Sequence, residues 1–560
     1  MPPKGQIMCG IVARIGRNNE IIQNTLLHRG PDQQNVFSFE SLIVEFSRLA
    51  ITGGRSGNSP VWSDDKRWVG FLNGEVYNFH ELIKSYGLTF SLSDTQVLVN
   101  GISKNGIRFL DNIRGMFAGI ILDTLEKKVY IFRDPMGEKP LFINIESDLI
   151  TLSSEFSSLM KLLSRPLAIN SAAVASYFRF GYAEEPETFD LHVNAIEKGV
   201  VFSINLLDLT IREEFILDGY SVDETKLSLQ DILSQIYDQI LYTEVDSALA
   251  LSSGIDSTSL LVAKAKRDRQ GFQPIVVSFQ NSPKISEAKL ADASSKLLDL
   301  KSLFIELDLR NPIDDIFLLS KINDQPHADP SGVAYLNIFR QAHESNKKIV
   351  FLGHGPDEFF WGYEWLNKSL QKKKFLHPRT PDASLFWETP GLAKRLAGTL
   401  AANENKNRRM GSRDRYLDSQ DPWSNTMAHL THSYLTHNAL RQSDRLAMHF
   451  SLEPRTPYSD SRLYGWAQNN CPRSPKATFD KVQFRSSLDL GPLENVRNRK
   501  KIGFRSDFHT WFSSPNIEDL FKASLESVMN CNLPWKTDLR ALNLNAQEKY
   551  RIMMFGLWLG

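Results

Sequence analysis

With 560 residues, 42% of them hydrophobic, the chain is too long for one ordinary core and can fill two or three. Its 65 lysines and arginines balance 65 aspartates and glutamates. That balance excludes the global field that steers nucleic acid or an anionic membrane, and leaves small molecules as the expected partners. The three cysteines, Cys9, Cys471 and Cys531, form no metal-type pairs, which argues against a disulfide framework or structural zinc and for a reducing compartment. No run approaches the roughly 20 apolar residues of a membrane span, and the opening MPPKGQIMCGIVARIG has no sustained apolar stretch. The cytoplasm is the expected location.

From the start of the chain, Cys9-Gly10-Ile11-Val12 enters an apolar, strand-like segment, where a cysteine is ordinarily a small buried hydrophobe. Its company is unusual: HRGPD at 28–32, SRLAI at 47–51, NGEVYN at 73–78, SDTQ at 93–96 and RDPMGEKPLF at 133–142. Around 200–220 the pattern is that of an edge hairpin closing a first domain and leading into a linker. Helical spacing resumes at Leu227 in LSLQDILSQIYDQIL.

Strands and helices then alternate: ALAL at 248–251, a helix, PIVVSF at 274–279, a helix from Ser286, SLFIEL, further helix, and KIVFLG at 348–353. This alternation predicts a doubly wound parallel sheet with ligands beyond the carboxyl ends of its strands. Two polar loops fall at such ends. The first, Ser252-Ser253-Gly254-Ile255-Asp256-Ser257, feeds a helix N-terminus whose unpaired N–H groups and dipole suit phosphate, with serine hydroxyls as added donors and Asp256 able to hold a cation. The same six residues also make an ordinary turn and helix cap. The second, Gly353-His354-Gly355-Pro356-Asp357-Glu358-Phe359-Phe360-Trp361-Gly362-Tyr363, follows KIVFL. Residues 371–423 are polar and basic with few apolar anchors, an exposed helical excursion or loop.

The first loop resembles the SGGxDS pyrophosphate loop of the ATP pyrophosphatases, and the chain as a whole resembles the asparagine synthetase family. The N-terminal motifs resemble the glutaminase domain of class II glutamine amidotransferases, an N-terminal-nucleophile fold of two antiparallel sheets between helical layers. The resemblance implies an extension over 1–7, a glutaminase domain over 8–205, a linker over 206–226 and an ATP-dependent domain over 227–560. It makes Cys9 the thiol that attacks the glutamine amide, Arg48 the ligand of the α-carboxylate, Asn73 and Gly74 the oxyanion donors, and Asp94 the ligand of the α-amino group. Acyl transfer requires such an arrangement of activated nucleophile, donor pair and charged handles. Arg48 and Asp94 also fit a pair of ordinary surface charges.

In the family the cysteine comes first in the mature chain, and its α-amino group, with a reference pKa near 8, acts as base. The upstream MPPKGQI reads as a misassigned start, a cloning remnant or a removable leader. If it persists, glutaminase activity should be poor and ammonia would come from solution.

For the second half the resemblance implies ATP binding by Leu251, Ser252, Ser253, Gly254, Asp256, Ser257, Ser278, Gly353 and Gly355, with magnesium on Asp256 and Asp357. Lys501, in KIGF at 501–504, would stabilise the adenylation transition state, or else belong to the exposed basic run RNRKK. Glu287 matches an acidic family position whose partner is Ser286 here. DQPHADPSGVAYL at 324–336 and LRQSDRLAMHFSLEPRTPYSD at 440–460 match substrate-side and C-terminal signatures.

Besides Ser286, three residues depart from the family. Ser253 replaces a usual glycine, at a cost if the position needs positive φ or close backbone approach. Trp361 replaces another glycine, as core or pocket wall. His354 stands where asparagine synthetases carry glutamate; with an unperturbed pKa near 6.5 it could act as base for ammonia's attack or only hydrogen-bond in the loop.

The implied reaction is glutamine-dependent amidation of a carboxylate through an acyl-adenylate, aspartate to asparagine by default, with ATP, magnesium and glutamine consumed or required. Amidation of another acid, such as a sugar acid or natural-product intermediate, stays open. So do β-lactam-type ring closure and a degenerate synthetase serving as a binding module. A homodimer is left open, and neither nucleic acid nor membrane is expected as partner.

Overall fold

The computed structural model describes residues 10–17, 26, 29, 33–48, 60–89, 91, 93–163, 165–221, 224–279, 285–308, 312–371, 421–474, 480–499, 508–531, 533 and 538–560. Cys9, most of the HRGPD motif, the excursion at 372–420 and Lys501 to Phe504 lie outside them, as do the side chains of Arg48 and Ser286.

The N-terminal unit is two stacked antiparallel sheets of six strands. The first holds β1 (Gly10–Gly16), β2 (Gln33–Phe39), β3 (Leu42–Arg48), β8 (Phe142–Ile145), β9 (Leu149–Ser153) and β10 (Val193–Ala195), in the order β10-β8-β9-β1-β3-β2. The second holds β4 (Val61–Trp62), β5 (Trp68–Val76), β6 (Gly115–Asp123), β7 (Lys128–Arg133), β11 (Val200–Asn205) and β12 (Ile211–Ile216), in the order β12-β11-β7-β6-β5-β4. In β6, GMFAGIILD reads as a continuous apolar run because both its faces are covered. Ala118, Ile120 and Leu122 enter the core between the sheets, whereas Phe117 and Ile121 meet Val97 and Leu98 of helix α1 (Asp94–Asn105). Helix α2 (Phe156–Leu163) covers the first sheet through Phe156 and Leu159 against Phe142. This is the expected sandwich between helices. The hairpin extends the domain further than its expected end at 205: residues 211–216, assigned to the linker, pair with β11 as the edge strand of the second sheet.

The C-terminal unit carries a five-stranded, wholly parallel sheet of β13 (Ser247–Ala250), β14 (Phe272–Phe279), β15 (Leu303–Leu307), β16 (Ile349–Phe351) and β17 (Glu453–Arg455), ordered β15-β14-β13-β16-β17. Strand order reverses between β13 and β16, and the loops after these two strands are the two polar loops of the sequence. In open α/β sheets such a reversal opens a crevice at the carboxyl ends of the strands, and that crevice is the expected ligand site. Strand β17 escapes sequence reading because Pro454 sits at its centre; the proline is tolerated on an edge strand, where its missing N–H costs no central ladder bond.

Helix α3 (Ser171–Phe180) belongs to the N-terminal half yet packs into the second unit's core. Before the sheet, α4 (Leu229–Ile240) is capped by the Ser228 hydroxyl, which accepts from Asp231 N. On it lie Ile232, Leu233 and Ile236, packed with Leu260 and Leu261 of α5 (Ile255–Arg267). Helices α6 (Ile285–Lys296) and α7 (Gly332–Glu344) follow, then the short α8 (Pro356–Phe359), an eleven-residue π-helix Leu430–Leu440 and α9 (Arg441–His449). Trp423, placed in the excursion by sequence, is instead buried in a helix spanning Pro422–His429. Helix α10 (Ala546–Leu559) lies on α3, with Tyr177 Oη donating to the Arg551 carbonyl at 2.7 Å and Phe555 edge-on to Phe178. Among the described residues no helix is long and apolar enough to cross a membrane.

Buried charges join the units. Arg29 pairs with Glu155 at 2.9 Å and Asp444 at 3.4 Å, Lys139 reaches Asp444 at 3.0 Å, and Arg445 reaches Glu155 at 2.6 Å. Asp324 accepts from the N–H groups of Phe156 and Ser157, both at 2.6 Å, at the start of α2. Arg455 pairs with Glu75 of β5 and, at 2.8 Å, with Glu453.

Candidate active sites

In the N-terminal unit, Asn73 and Gly74 sit in β5 opposite Ala118 and Phe117. Gly74 has φ of 132°, and a Cβ there would lie 2.0 Å from the Met116 carbonyl, so backbone shape and space both demand glycine. Asn73 is fully buried, and its Oδ1 has no hydrogen-bond partner among the described residues. The Ser154 hydroxyl accepts from Ile11 N at 3.0 Å and lies 3.5 Å from Asn73 Nδ2. It therefore links the first residues of β1 to Asn73. Asp94, expected to meet an α-amino group, is buried and accepts from Val76 N at 2.9 Å and Thr95 N at 2.7 Å. No cation among the described residues pairs with it, and burial raises its pKa despite those donors. A buried carboxylate flanked only by N–H and hydroxyl donors suits a ligand that brings its own positive charge.

In the second unit the two polar loops abut: a Cβ on Gly353 would lie 3.3 Å from Asp256 Cβ and 3.3 Å from Ser257 N. Gly355 has φ of 120°, with Tyr458 O 2.2 Å from the place of a Cβ. Leu251 contributes backbone alone, its N–H bonded to Ile275 O at 2.8 Å. Ser257 Oγ receives Ser252 N at 3.1 Å and lies 2.9 Å from Ser252 Oγ, while Gly254 N donates to Ser252 Oγ at 3.2 Å. These bonds shape the loop as a turn over the start of α5. Ser253 takes no positive φ, so the glycine-specific backbone cost does not arise. Its hydroxyl donates to Glu287 at 3.1 Å, and Arg499 Nη1 donates to its carbonyl at 3.1 Å. Ser278 Oγ is directed to Ile305 O at 3.4 Å.

Asp256 and Asp357 converge on one cation, the ammonium of Lys481, at 2.7 and 2.9 Å. Burial alone would lower the lysine's pKa, but the two carboxylates outweigh it and hold the ammonium above its ordinary range. Two carboxylates facing one point also fit magnesium, which is held by one or two protein carboxylates with phosphate oxygens completing the shell. Among the described residues no third acidic, cysteine or histidine side chain joins them in a metal-type cluster. Sequence reasoning missed Lys481. It stands alone in FDKVQFR, and only the fold brings it 225 residues back to Asp256.

His354 Nε2 lies 3.2 Å from Ser443 Oγ, with its ring 5.5 Å from that of Tyr335. The two signatures matched by sequence thus meet beside it: Gln442 Nε2 is 2.9 Å from His327 Nδ1, and Asn438 Nδ2 donates to Asp329 at 2.6 Å. Burial pushes His327 down to about 4, which keeps its ring neutral.

Trp361 is core, 2% exposed and edge-on to Trp423. Its φ of 58° is the left-handed value that glycine adopts freely. Trp361→Gly should relieve about 1 kcal/mol of backbone strain and lose about 3–5 kcal/mol of ring burial, a net destabilisation of about 2–4 kcal/mol read from the denaturant midpoint.

An antiparallel sandwich between helices is joined to a parallel sheet with two carboxylates at its switch point, and matches to known families define the pair as a two-domain glutamine amidotransferase. Residues 8–214 match a glutamine amidotransferase domain, and 228–545 match the asparagine synthase family. The chain belongs to the asparagine synthase family. It is 27% identical to asparagine synthetase [glutamine-hydrolyzing] 1 of Bacillus subtilis (strain 168), over 98% of this chain and 96% of the relative. It is 24% identical to a putative asparagine synthetase of Mycobacterium tuberculosis (strain ATCC 25618 / H37Rv), over 94% and 88%. It is 26% identical to the Zea mays asparagine synthetase, over 66% and 62%.

Proposed function

We propose that this chain converts aspartate to asparagine, with ATP and glutamine as co-substrates. The observation that carries the reading is the convergence of Asp256, Asp357 and Lys481 at the switch point, where the two polar loops abut. The Cys9 thiolate attacks the glutamine amide carbon and releases ammonia, and water then hydrolyses the thioester to glutamate. Asn73 and Gly74 stabilise the oxyanion, Arg48 and Asp94 hold the amino-acid end, and the α-amino group of a chain beginning at Cys9 takes and returns the proton.

In the second unit an aspartate carboxylate oxygen attacks the α-phosphate of ATP, expelling pyrophosphate. Ammonia then displaces AMP from the acyl-adenylate to give the amide. Asp256 and Asp357 would hold magnesium together with the nucleotide, and it would supply charge neutralisation on the pyrophosphate. Lys481 and Lys501 present cations to the phosphates. His354, beside Ser443 and with its ring 5.5 Å from that of Tyr335 in the substrate-side segment, would serve as the base for ammonia's attack.

The test is product analysis on chains beginning at Cys9, supplied with glutamine, ATP, magnesium and aspartate. Asparagine and AMP should form in equal amounts, and Cys9→Ala should abolish synthesis from glutamine while sparing synthesis from ammonia. Glutamate release and AMP formation with another acid but not aspartate would move the acceptor and keep the chemistry, with the contacts of His354 to Ser443 and Tyr335 as its determinants. His354→Ala should then lower amide formation by about 10²–10⁴-fold with adenylation retained, if the ring is the base.

A further inference from the structure

Glu138 lies in the turn after β7, in the N-terminal unit, yet both carboxylate oxygens are spoken for by the C-terminal unit. Ser459 Oγ donates to Oε1 at 2.9 Å, and Thr456 Oγ1 donates to Oε2. Thr456 and Ser459 bracket the turn directly after β17, and the two hydroxyls lie 2.7 Å apart. That turn supports the second active site. The Tyr458 carbonyl, followed by Ser459 N, lies nearest the missing Cβ of Gly355, and Tyr458 Oη lies 2.6 Å from Ser259 Oγ on α5, the helix that carries Asp256.

On the other side, Glu138 is fixed to the oxyanion strand. Asp134 accepts from the N–H groups of Met136, Glu138 and Lys139 at 3.1, 2.9 and 3.1 Å, and from Phe117 N at 3.2 Å. Asp134 N donates to Phe117 O at 2.7 Å, and Phe117 is the register partner of Gly74. A continuous series of hydrogen bonds and close contacts thus runs from Gly74 to Gly355, and Glu138 bridges the units within it, beside the Arg455–Glu75 pair that joins β17 to β5.

We propose that Glu138 is a positioning residue that clamps the 456–459 turn to the glutaminase domain, so that the Gly353–Asp357 loop takes its active placement only while the oxyanion strand is in register. This rests on the proposed amidotransferase reading for its consequence, not for its geometry. The clamp faces an interdomain cleft of about 390 Å³ that Tyr77, Arg114 and Asp460 also line. The charged and titratable groups around Glu138 are Asp134 and Lys139 on its own turn, Tyr77 at the end of β5 with Arg455, Glu453 and Glu75 behind it, and Arg114 and Asp460 across the cleft. Burial, then the Asp134 charge, push the Glu138 carboxyl up to about 8. Since its folded pKa is raised, the protonated form is the one the fold favours. Both hydroxyls donate to the carboxyl and, with Lys139, oppose that shift, so the clamp is made by hydrogen bonds that ionisation does not remove.

The test compares the full chain with its Glu138→Ala and Glu138→Gln variants. One readout is hydrogen exchange in 353–359 and 456–459, corrected for intrinsic rates; the other is the ratio of amide made from glutamine to amide made from ammonia. Glu138→Ala should raise exchange in both segments by about tenfold or more and lower the ratio about tenfold, with glutamine hydrolysis kept within about threefold. Glu138→Gln, whose amide can accept from one hydroxyl and donate to the other, should match the unsubstituted chain in both readouts. Unchanged exchange in 353–359 in the alanine variant, or a glutamine variant that exchanges as fast as the alanine variant, overturns the proposal. If the unsubstituted chain neither hydrolyses glutamine nor forms an amide, the proposed function falls and the exchange readout still decides the clamp.

Discussion

Lys481→Met is expected to lower ATP–pyrophosphate exchange by about 10²–10³-fold, the range seen when one preorganised donor to a developing anion is removed. The expectation follows from placement. The ammonium is 1% exposed and 2.7–2.9 Å from both carboxylates, so it is fixed before nucleotide arrives and needs no reorganisation when charge develops. Methionine keeps the stem's packing and deletes only the charge. The two aspartates are then left facing one another, so the variant should also gain more thermal stability from added magnesium than the unsubstituted chain does. Exchange within tenfold of the unsubstituted rate would remove Lys481 from the reaction and leave it as a counter-ion.

The second large effect is on stability. Arg455→Met should destabilise the fold by about 3–5 kcal/mol, because truncating one partner of a buried ion cluster leaves the others uncompensated. Arg455 is 1% exposed, pairs with Glu75 and Glu453, donates to the carbonyl groups of Ile240 and Tyr242 at 2.9 and 3.2 Å, and lies 5.5 Å from the centre of the Tyr77 ring. Burial disfavours its charge, but the two glutamates outweigh burial and raise its pKa. Chemical denaturation followed separately in each unit checks this, since loss of the bridge should also uncouple two transitions that coincide in the unsubstituted chain. A midpoint shift worth less than about 1 kcal/mol would mean that the cluster's desolvation cost nearly cancels its attraction.

Local pattern carried much of this architecture. The alternation of strand and helix after Leu227, the turn chemistry of 252–257 and the hairpin near 200–216 are encoded within a few residues, and the observed sheets follow them. What stayed hidden depends on distance along the chain or on exceptions to propensity. Strand β17 is three residues with a central proline, and Trp361 sits in a backbone region that sequence assigns to glycine. Lys481 has no periodic or motif context, and Glu138 is a carboxyl in a turn, where solvent exposure is the ordinary expectation. Of the glutaminase site, the order of motifs pointed to Asn73, Gly74 and Asp94, whose strand and helix positions the fold supplies. The thiol and the arginine head group lie outside the described residues.

The pairing of α3 with α10 bears on biosynthesis. Tyr177 and Arg551 are 374 residues apart, and at about 5–20 residues per second the ribosome takes about 20–75 s to cover that interval. Throughout it the N-terminal sandwich has everything needed for its own core, while Tyr177 and Phe178 wait for the helix that will bury them. The nascent chain therefore carries an aromatic face in search of a cover throughout that interval, and closure of the two units onto one another waits for the synthesis of α10.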